Sequence, residues 1–248
     1  MASRRVRRAP SSRSAERSTV KRGELIVLEG AEGVGKTTQA GRLVAELTRG
    51  GVSCVHLREP GGTSLGEAIR DVLLRPFRTI APTAEALLFM ASRAQLVYEK
   101  IVPALAAGEV VVLDRFFLST YAYQIHARGL PADEVRAANQ LAIGDIVPTV
   151  TVVLHLPANE GLVRAGKRSE HDYMEQLGDE FHARVGAAFD DFATPDWQRR
   201  HPECGPIVSV DASGSEDDVF HRIVAAINEY APRLGAGLTA ALEQGVAK

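Results

Sequence analysis

Cysteine is scarce. Cys54 and Cys204 are the two among 248 residues. Their spacing suits neither a metal site nor a framework of bridges, which excludes a disulfide scaffold and predicts a reducing compartment, the cytoplasm. Long apolar runs are missing as well. None approaches the ~20 residues that a membrane span needs, so no membrane partner is expected, and no apolar stretch follows the basic N-terminus as a secretory signal would require. There is no internal repeat and no N-K-x-D stretch of the kind that reads guanine. What is present is 45% hydrophobic and 24% charged. That is ordinary globular composition, in a length that suits one large α/β domain or two small ones.

Charge is unevenly placed. Residues 1–22 carry eight Lys or Arg against Glu16 alone, which leaves 21 basic and 30 acidic residues for the remainder. A basic tail therefore precedes an acidic domain. With almost no large apolar side chains, the tail cannot offset its ordering entropy and is expected to be disordered. A transit peptide, a nucleic-acid tether and a plain solvated extension all fit its composition. Val6 and Val20 make a poor apolar face for the first, and the third is the simplest. At the other end, 231–248 is Gly- and Ala-rich and reads as frayed or loosely helical, which bounds the domain at 23–230.

Within the domain, short apolar runs alternate with helical periodicity. Strands are expected at Leu25–Leu28, Val52–Leu57, Val110–Leu113, Val150–Leu156 and Ile207–Val210. Helices are expected after Gly35, over Leu65–Leu74, from a Thr83 cap through Met90 to a bend or break at Pro103, over about 117–127 and 131–143, from Ala158, through Phe181 to Phe189, and over Ser215–Tyr230. The runs are continuous rather than alternating, as in strands buried on both faces. The fold class is therefore α/β: a five-stranded parallel sheet in three layers, with helices on both faces. Ligands in such folds meet the carboxyl ends of the strands.

The first of those ends carries Gly30-Ala31-Glu32-Gly33-Val34-Gly35-Lys36-Thr37, a full match to G-x-x-x-x-G-K-[ST], followed by Thr38. Backbone N–H groups, a helix N-terminus and the Lys36 ammonium converge there on anionic phosphates, and the Thr37 hydroxyl suits Mg2+. Asp114 closes the third strand and is a second candidate for Mg2+, with a helix cap as its plainer role. A nucleoside triphosphate and Mg2+ are thus implied. The second strand ends in Arg58-Glu59-Pro60-Gly61-Gly62-Thr63, a tight turn flanked by charge. Arg70, Arg93 and Arg115 follow. Arg115 succeeds a buried strand, so its guanidinium is expected in the same crevice, where its planar fork suits phosphate. Phe89 reads most simply as core.

Together these segments resemble thymidylate kinases, P-loop nucleoside-monophosphate kinases, from Gly23 to about Tyr230. The resemblance is carried by Leu28-Glu29-Gly30 with Gly35-Lys36-Thr37-Thr38, by Arg58 to Thr63, by Leu87-Leu88-Phe89 with Arg93-Ala94-Gln95, and by Asp114-Arg115-Phe116, Ser119 and Ala122-Tyr123-Gln124. It implies phosphoryl transfer from ATP to dTMP, giving dTDP and ADP, with Mg2+, in a homodimer. By position it implies that Phe89 stacks on thymine and Arg93 bonds its edge. Gln124, with Ser119 or Thr120, reads the base, and Tyr123 lies near the sugar. Arg70 and Arg115 hold the acceptor phosphate, Glu32 approaches the 3′-hydroxyl, and Pro60 borders the acceptor. Glu32 is followed by Gly33 rather than a basic residue, a pattern associated in this family with catalytic arginines in the lid. Arg164, Lys167 and Arg168, beside Gly161 and Gly166, are the candidates, and positive charge there would stabilise the transferring phosphoryl group.

Several positions depart from the family pattern. Ser92 stands where Asp is usual, Pro148-Thr149 replaces Pro-Asp, His155 replaces Asp, and Tyr173 replaces Arg. They leave open a modified pyrimidine deoxynucleotide as acceptor, although His155 reads most simply as a satisfied strand-end histidine. A nucleotide-dependent ATPase gripping nucleic acid through the basic tail is the weaker alternative.

Overall fold

The computed structural model describes residues 23–75, 80–157, 160–161 and 178–246, with side chains described as far as residue 239. The basic tail, the charged segment 162–177 and Tyr173 lie outside them.

The strands are β1 (Leu25–Glu29), β2 (Cys54–Arg58), β3 (Val110–Asp114), β4 (Val150–His155) and β5 (Ile207–Asp211). They form one parallel sheet in the order β2-β3-β1-β4-β5. Every residue of β1 and β3 is buried. Alternate side chains enter two separate cores. Leu25, Val27, Val111 and Leu113 face one core with Phe117, Val185 and Phe192. Ile26, Leu28, Val112 and Val152 face the other with Leu43, Phe220 and Ile223. A strand covered on both faces has no side to leave polar, which is why these runs show no alternation.

The helices are α1 (Lys36–Arg49), α2 (Ser64–Leu74), α3 (Pro82–Leu96), α4 (Val102–Ala106), α5 (Phe117–Thr120), α6 (Ala132–Ile143), α7 (Asp179–Phe192), α8 (Pro195–Arg200), α9 (Glu216–Tyr230) and α10 (Pro232–Val246). Thr83 does not cap α3. The helix begins one residue earlier, with Pro82 in its first turn and Ala81 as cap, because proline's missing N–H costs nothing there. Nor does Pro103 break the chain. A wide π-type turn over Val97–Ile101 joins α3 to α4, and Pro103 falls in the first turn of α4. A second wide turn, Tyr121–Ala127, extends α5. Ser215 caps α9 in a reciprocal box with Asp218.

The packed body runs past Tyr230, where composition placed its edge. Leu238 of α10 is 1% exposed and joins the core formed by α1 and α9. Leu238→Ala is expected to lower unfolding free energy by about 2–4 kcal/mol, read as a shifted urea midpoint at unchanged slope.

Candidate active site

The central position of β1 decides where the site lies. Its neighbours are β3 and β4, and Leu28 stands in register with Asp114. The backbone N–H of Arg115 donates to Leu28 O at 3.0 Å, and that of Glu59 to Asp114 O at 3.0 Å. The segments after β1, β2 and β3 are thus tied together where strand order reverses.

The loop after β1 curls as its glycines require. Gly30 has φ 134°, and a Cβ there would stand 2.4 Å from Leu154 O. Gly35, φ 94°, precedes α1 in the left-handed region. Lys36 is 6% exposed, and its Nζ donates to Gly30 O at 3.0 Å and Ala31 O at 2.5 Å. Burial pushes the ammonium down, Arg115 adds to this, and Glu32, Asp114 and Glu29 oppose it; the pKa falls to about 8. Phosphate binding restores the charged form. We therefore expect kcat/KM for the triphosphate to decline as pH rises through about 8, while kcat stays flat, in a steady-state pH profile.

Thr37 donates its hydroxyl to Asp114 Oδ2 at 2.6 Å. This pair fits Mg2+. Both are hard oxygen donors, and two protein ligands leave positions for water and phosphate oxygens. No group of three or more His, Cys, Asp or Glu that could form a protein cage occurs among the described residues.

Arg115 holds φ 68°, rare for a side chain with a Cβ. From there Nη2 meets Glu32 Oε1 at 2.7 Å, and Nη1 donates to Gly30 O at 3.3 Å and Ser119 Oγ at 3.1 Å. Tyr123 donates to the same Glu32 oxygen at 2.8 Å. Burial alone would raise Glu32, but Arg115, Lys36 and the Tyr123 hydroxyl overcome it and hold the carboxyl at about 2. Beneath them Glu29, fully buried, accepts from Phe116 N (2.7 Å), Ser119 N (3.0 Å) and the Ser119 hydroxyl (2.6 Å). It fastens the start of α5 to the end of β1.

Arg93 is 1% exposed. Nε and Nη2 bind Glu59 Oε2 at 2.8 and 2.7 Å. Nη1 donates to Thr120 Oγ1 (3.0 Å) and Asn139 Oδ1 (2.8 Å), and Nη2 also to Phe116 O (3.1 Å). These acceptors match the five N–H groups of a guanidinium. Ser92 replaces an acid yet keeps an acceptor there, taking Gly61 N at 3.2 Å.

A cavity of about 440 Å³ runs along these groups. Glu32, Gly33, Gly35, Lys36, Thr37 and Thr38 line its phosphate-loop side. Pro60, Arg70, Asp114 and Arg115 line it further along, as do Phe89, Arg93, Ser119, Thr120, Tyr123 and Gln124. Arg70 also donates to Pro60 O at 2.9 Å. Phe89, read from spacing as core, is half-buried at the cavity wall. Gly30, Ala31 and Val34 are not on the wall. The first two offer their carbonyls to Lys36, and Val34 packs into the α1 core. Arg164, Lys167 and Arg168 lie outside the described residues. Of the departures, His155 Nδ1 pairs with Asp190 at 2.8 Å. Thr149 joins strand starts, accepting from Leu25 N at 3.1 Å and donating to Glu24 at 2.7 Å. Sequence reasoning assigned no role to Glu29, Glu85 or Asn139, buried behind the wall, or to Glu59, buried within it. For Glu29, an acid ending an apolar strand just before the loop was a usable signal.

The thymidylate kinase family model matches residues 28–223. The thymidylate kinase of Synechococcus sp. strain JA-2-3B'a(2-13) is 45% identical over 214 residues, covering 86% of this chain and 98% of that protein. That of Deinococcus radiodurans is 43% identical over 207 residues, 84% and 97% of the two chains. That of Chlorobium chlorochromatii is 41% identical over 214 residues, 82% and 93% of the two chains.

Proposed function

The chain belongs to the thymidylate kinase family and catalyses ATP + dTMP → ADP + dTDP, and on that premise we propose how its residues divide the work. One observation carries the assignment: a single cavity is bordered both by the phosphate loop and by Phe89, Arg93 and Gln124. Two nucleotides therefore meet end to end. Lys36 and the loop N–H groups hold the β- and γ-phosphates, and Thr37 and Asp114 hold Mg2+. Mg2+ held there would supply positive charge to offset that of the transferring phosphates.

Arg70 and Arg115 hold the acceptor phosphate in line. An oxygen of that phosphate attacks the γ-phosphorus, and the bond to the bridging oxygen of ADP breaks. The attacking oxygen is already anionic, so no base is needed, and catalysis is positioning plus charge neutralisation. Phe89 stacks on thymine and Gln124 reads it, while Arg93, whose N–H groups are all taken by protein acceptors rather than left for the base edge, only borders that edge beside Thr120. Glu32, clamped by Arg115 and Tyr123, faces the sugar. Arg164 and Arg168 are assigned the remaining transition-state charge on sequence grounds, from the Glu32-Gly33 pattern.

A coupled assay with ATP, Mg2+ and a panel of nucleoside monophosphates tests this reading. ADP should form only with an acceptor, with dTMP first, and removal of residues 1–22 should change nothing. ADP formation stimulated by DNA or RNA and lost with the tail would replace it.

A homodimer is the assembly we infer. α3 and α6 pack together yet leave Leu87 57% and Leu141 88% exposed, more apolar side chain than a solvated pair of helices needs. Leu141→Glu should halve the sedimenting mass; an unchanged mass removes this surface from the assembly. Free Cys54 and Cys204, with no helix among the described residues long and apolar enough to cross a membrane, support placement in a reducing cytoplasm.

A further inference from the structure

Gln124 and Glu85 form a buried pair behind the base end of the cavity. Both are 1% exposed. Gln124 Nε2 donates to Glu85 Oε1 at 2.9 Å. Arg128 grips the same carboxylate, with Nε to Oε1 at 3.3 Å and Nη2 to Oε2 at 2.9 Å. Glu85 sits in the first turn of α3, four residues before Phe89, and Gln124 in the wide turn after α5.

A primary amide has two faces of opposite character: NH2 gives, oxygen takes. Reversing the Gln124 amide would set its oxygen against the Glu85 carboxylate, acceptor against acceptor, in a site closed to water, where an unmade polar contact costs most. Arg128 keeps Glu85 from turning aside. The NH2 is thereby spent on Glu85, and among the described residues no protein donor engages Gln124 Oε1. We propose that Glu85, clamped by Arg128, is a positioning residue for acceptor choice: it fixes the Gln124 amide so that the oxygen is the group offered to the pyrimidine ring.

This rests on the reading of Gln124 as the base contact. An oxygen there suits the N3–H of thymine or uracil. It opposes the N3 lone pair of cytosine, so the lock selects 4-oxo pyrimidines against 4-amino ones. It is indifferent to the 5-methyl group. Sites built to pair one hydrogen-bonding group reject the mismatched analogue far more strongly than apolar pockets reject a change of size.

The test compares kcat/KM for dTMP, dUMP and dCMP, with ATP and Mg2+ and the full chain. Glu85→Gln keeps shape but can donate to Gln124 Oε1, so either amide orientation is satisfied. We expect the dTMP:dCMP ratio to fall by about tenfold or more, while the dTMP:dUMP ratio holds. A merely structural role would lower all three substrates together. Gln124→Met removes the amide, and adding Glu85→Gln to it should leave the ratio where Gln124→Met put it. If Glu85→Gln does not fold, Arg128→Gln, which leaves Glu85 unclamped, must move the ratio the same way. An unaltered dTMP:dCMP ratio, or a shift that persists without the Gln124 amide, overturns the proposal alone. Failure of the unsubstituted protein to phosphorylate dTMP overturns the reading beneath it and the proposal together.

Discussion

Arg115→Ala is expected to lower kcat with dTMP by about 10³-fold, the scale on which arginines at a transferring phosphoryl group act. Three losses combine. The guanidinium we assign to the acceptor phosphate is gone. Glu32 loses its 2.7 Å partner and is left a half-buried carboxylate with one hydroxyl donor. Ser119 loses a donor, although Glu29 still holds it. Arg115→Lys separates charge from geometry, because an ammonium restores a point charge but not the fork that spans Glu32, Gly30 O and Ser119. It should recover a minor part of the rate. Glu32 also gives a pH signature. Its folded pKa is depressed to about 2 from 4.5, so the pairing stabilises the fold above about 4.5 and is lost as pH falls toward 2. Arg115→Ala should therefore unfold at a higher pH on acid titration followed by circular dichroism. Turnover within a few-fold of the parent would remove Arg115 from the mechanism.

The second large effect is at Lys36. Lys36→Ala is expected to reduce kcat by about 10²–10³-fold, the usual loss when one preorganised donor to developing charge is deleted. Its ammonium arrives at the phosphate site buried and already bonded to Gly30 O and Ala31 O. Those carbonyls fix it in place, so little ordering entropy remains to be lost when phosphate binds. Secondary structure and thermal midpoint should stay near those of the parent, because α1 is anchored by Leu43 and Leu47 in the core rather than by its first residue. A variant that keeps its turnover would show that the loop N–H groups suffice without the ammonium.

Much of this architecture is written locally. The phosphate loop is eight consecutive residues whose glycines have no other reason to be so placed. The inner strands β1, β3 and β4 declare themselves because a strand buried on both faces tolerates no polar alternation. Asp114 and Arg115 are legible because they end such a strand.

Other features depend on partners far along the chain. Glu29 reaches Ser119, Glu59 reaches Arg93, and Glu85 reaches Gln124 and Arg128. Nothing near Glu85 distinguishes it from any acid in a first helical turn. The Gly- and Ala-rich end reads as frayed or loosely helical, yet Leu238 packs on α9 and α1. Composition measures how much apolar surface a segment has, not whether a neighbour awaits it. The wide turns at Val97–Ile101 and Tyr121–Ala127 escape a 3.6-residue period by construction.

The cations of this cleft share one property. Lys36 rests on loop carbonyls, Arg115 on Glu32, and Arg93 on Glu59. For Lys36 and Arg115, both assigned to phosphate, capture is then an exchange, in which a substrate oxygen competes with an acceptor the protein already supplies. Net affinity is the difference between two similar attractions rather than the whole of one. A catalyst wired this way grips firmly enough to align its substrates and still lets a more highly charged product leave.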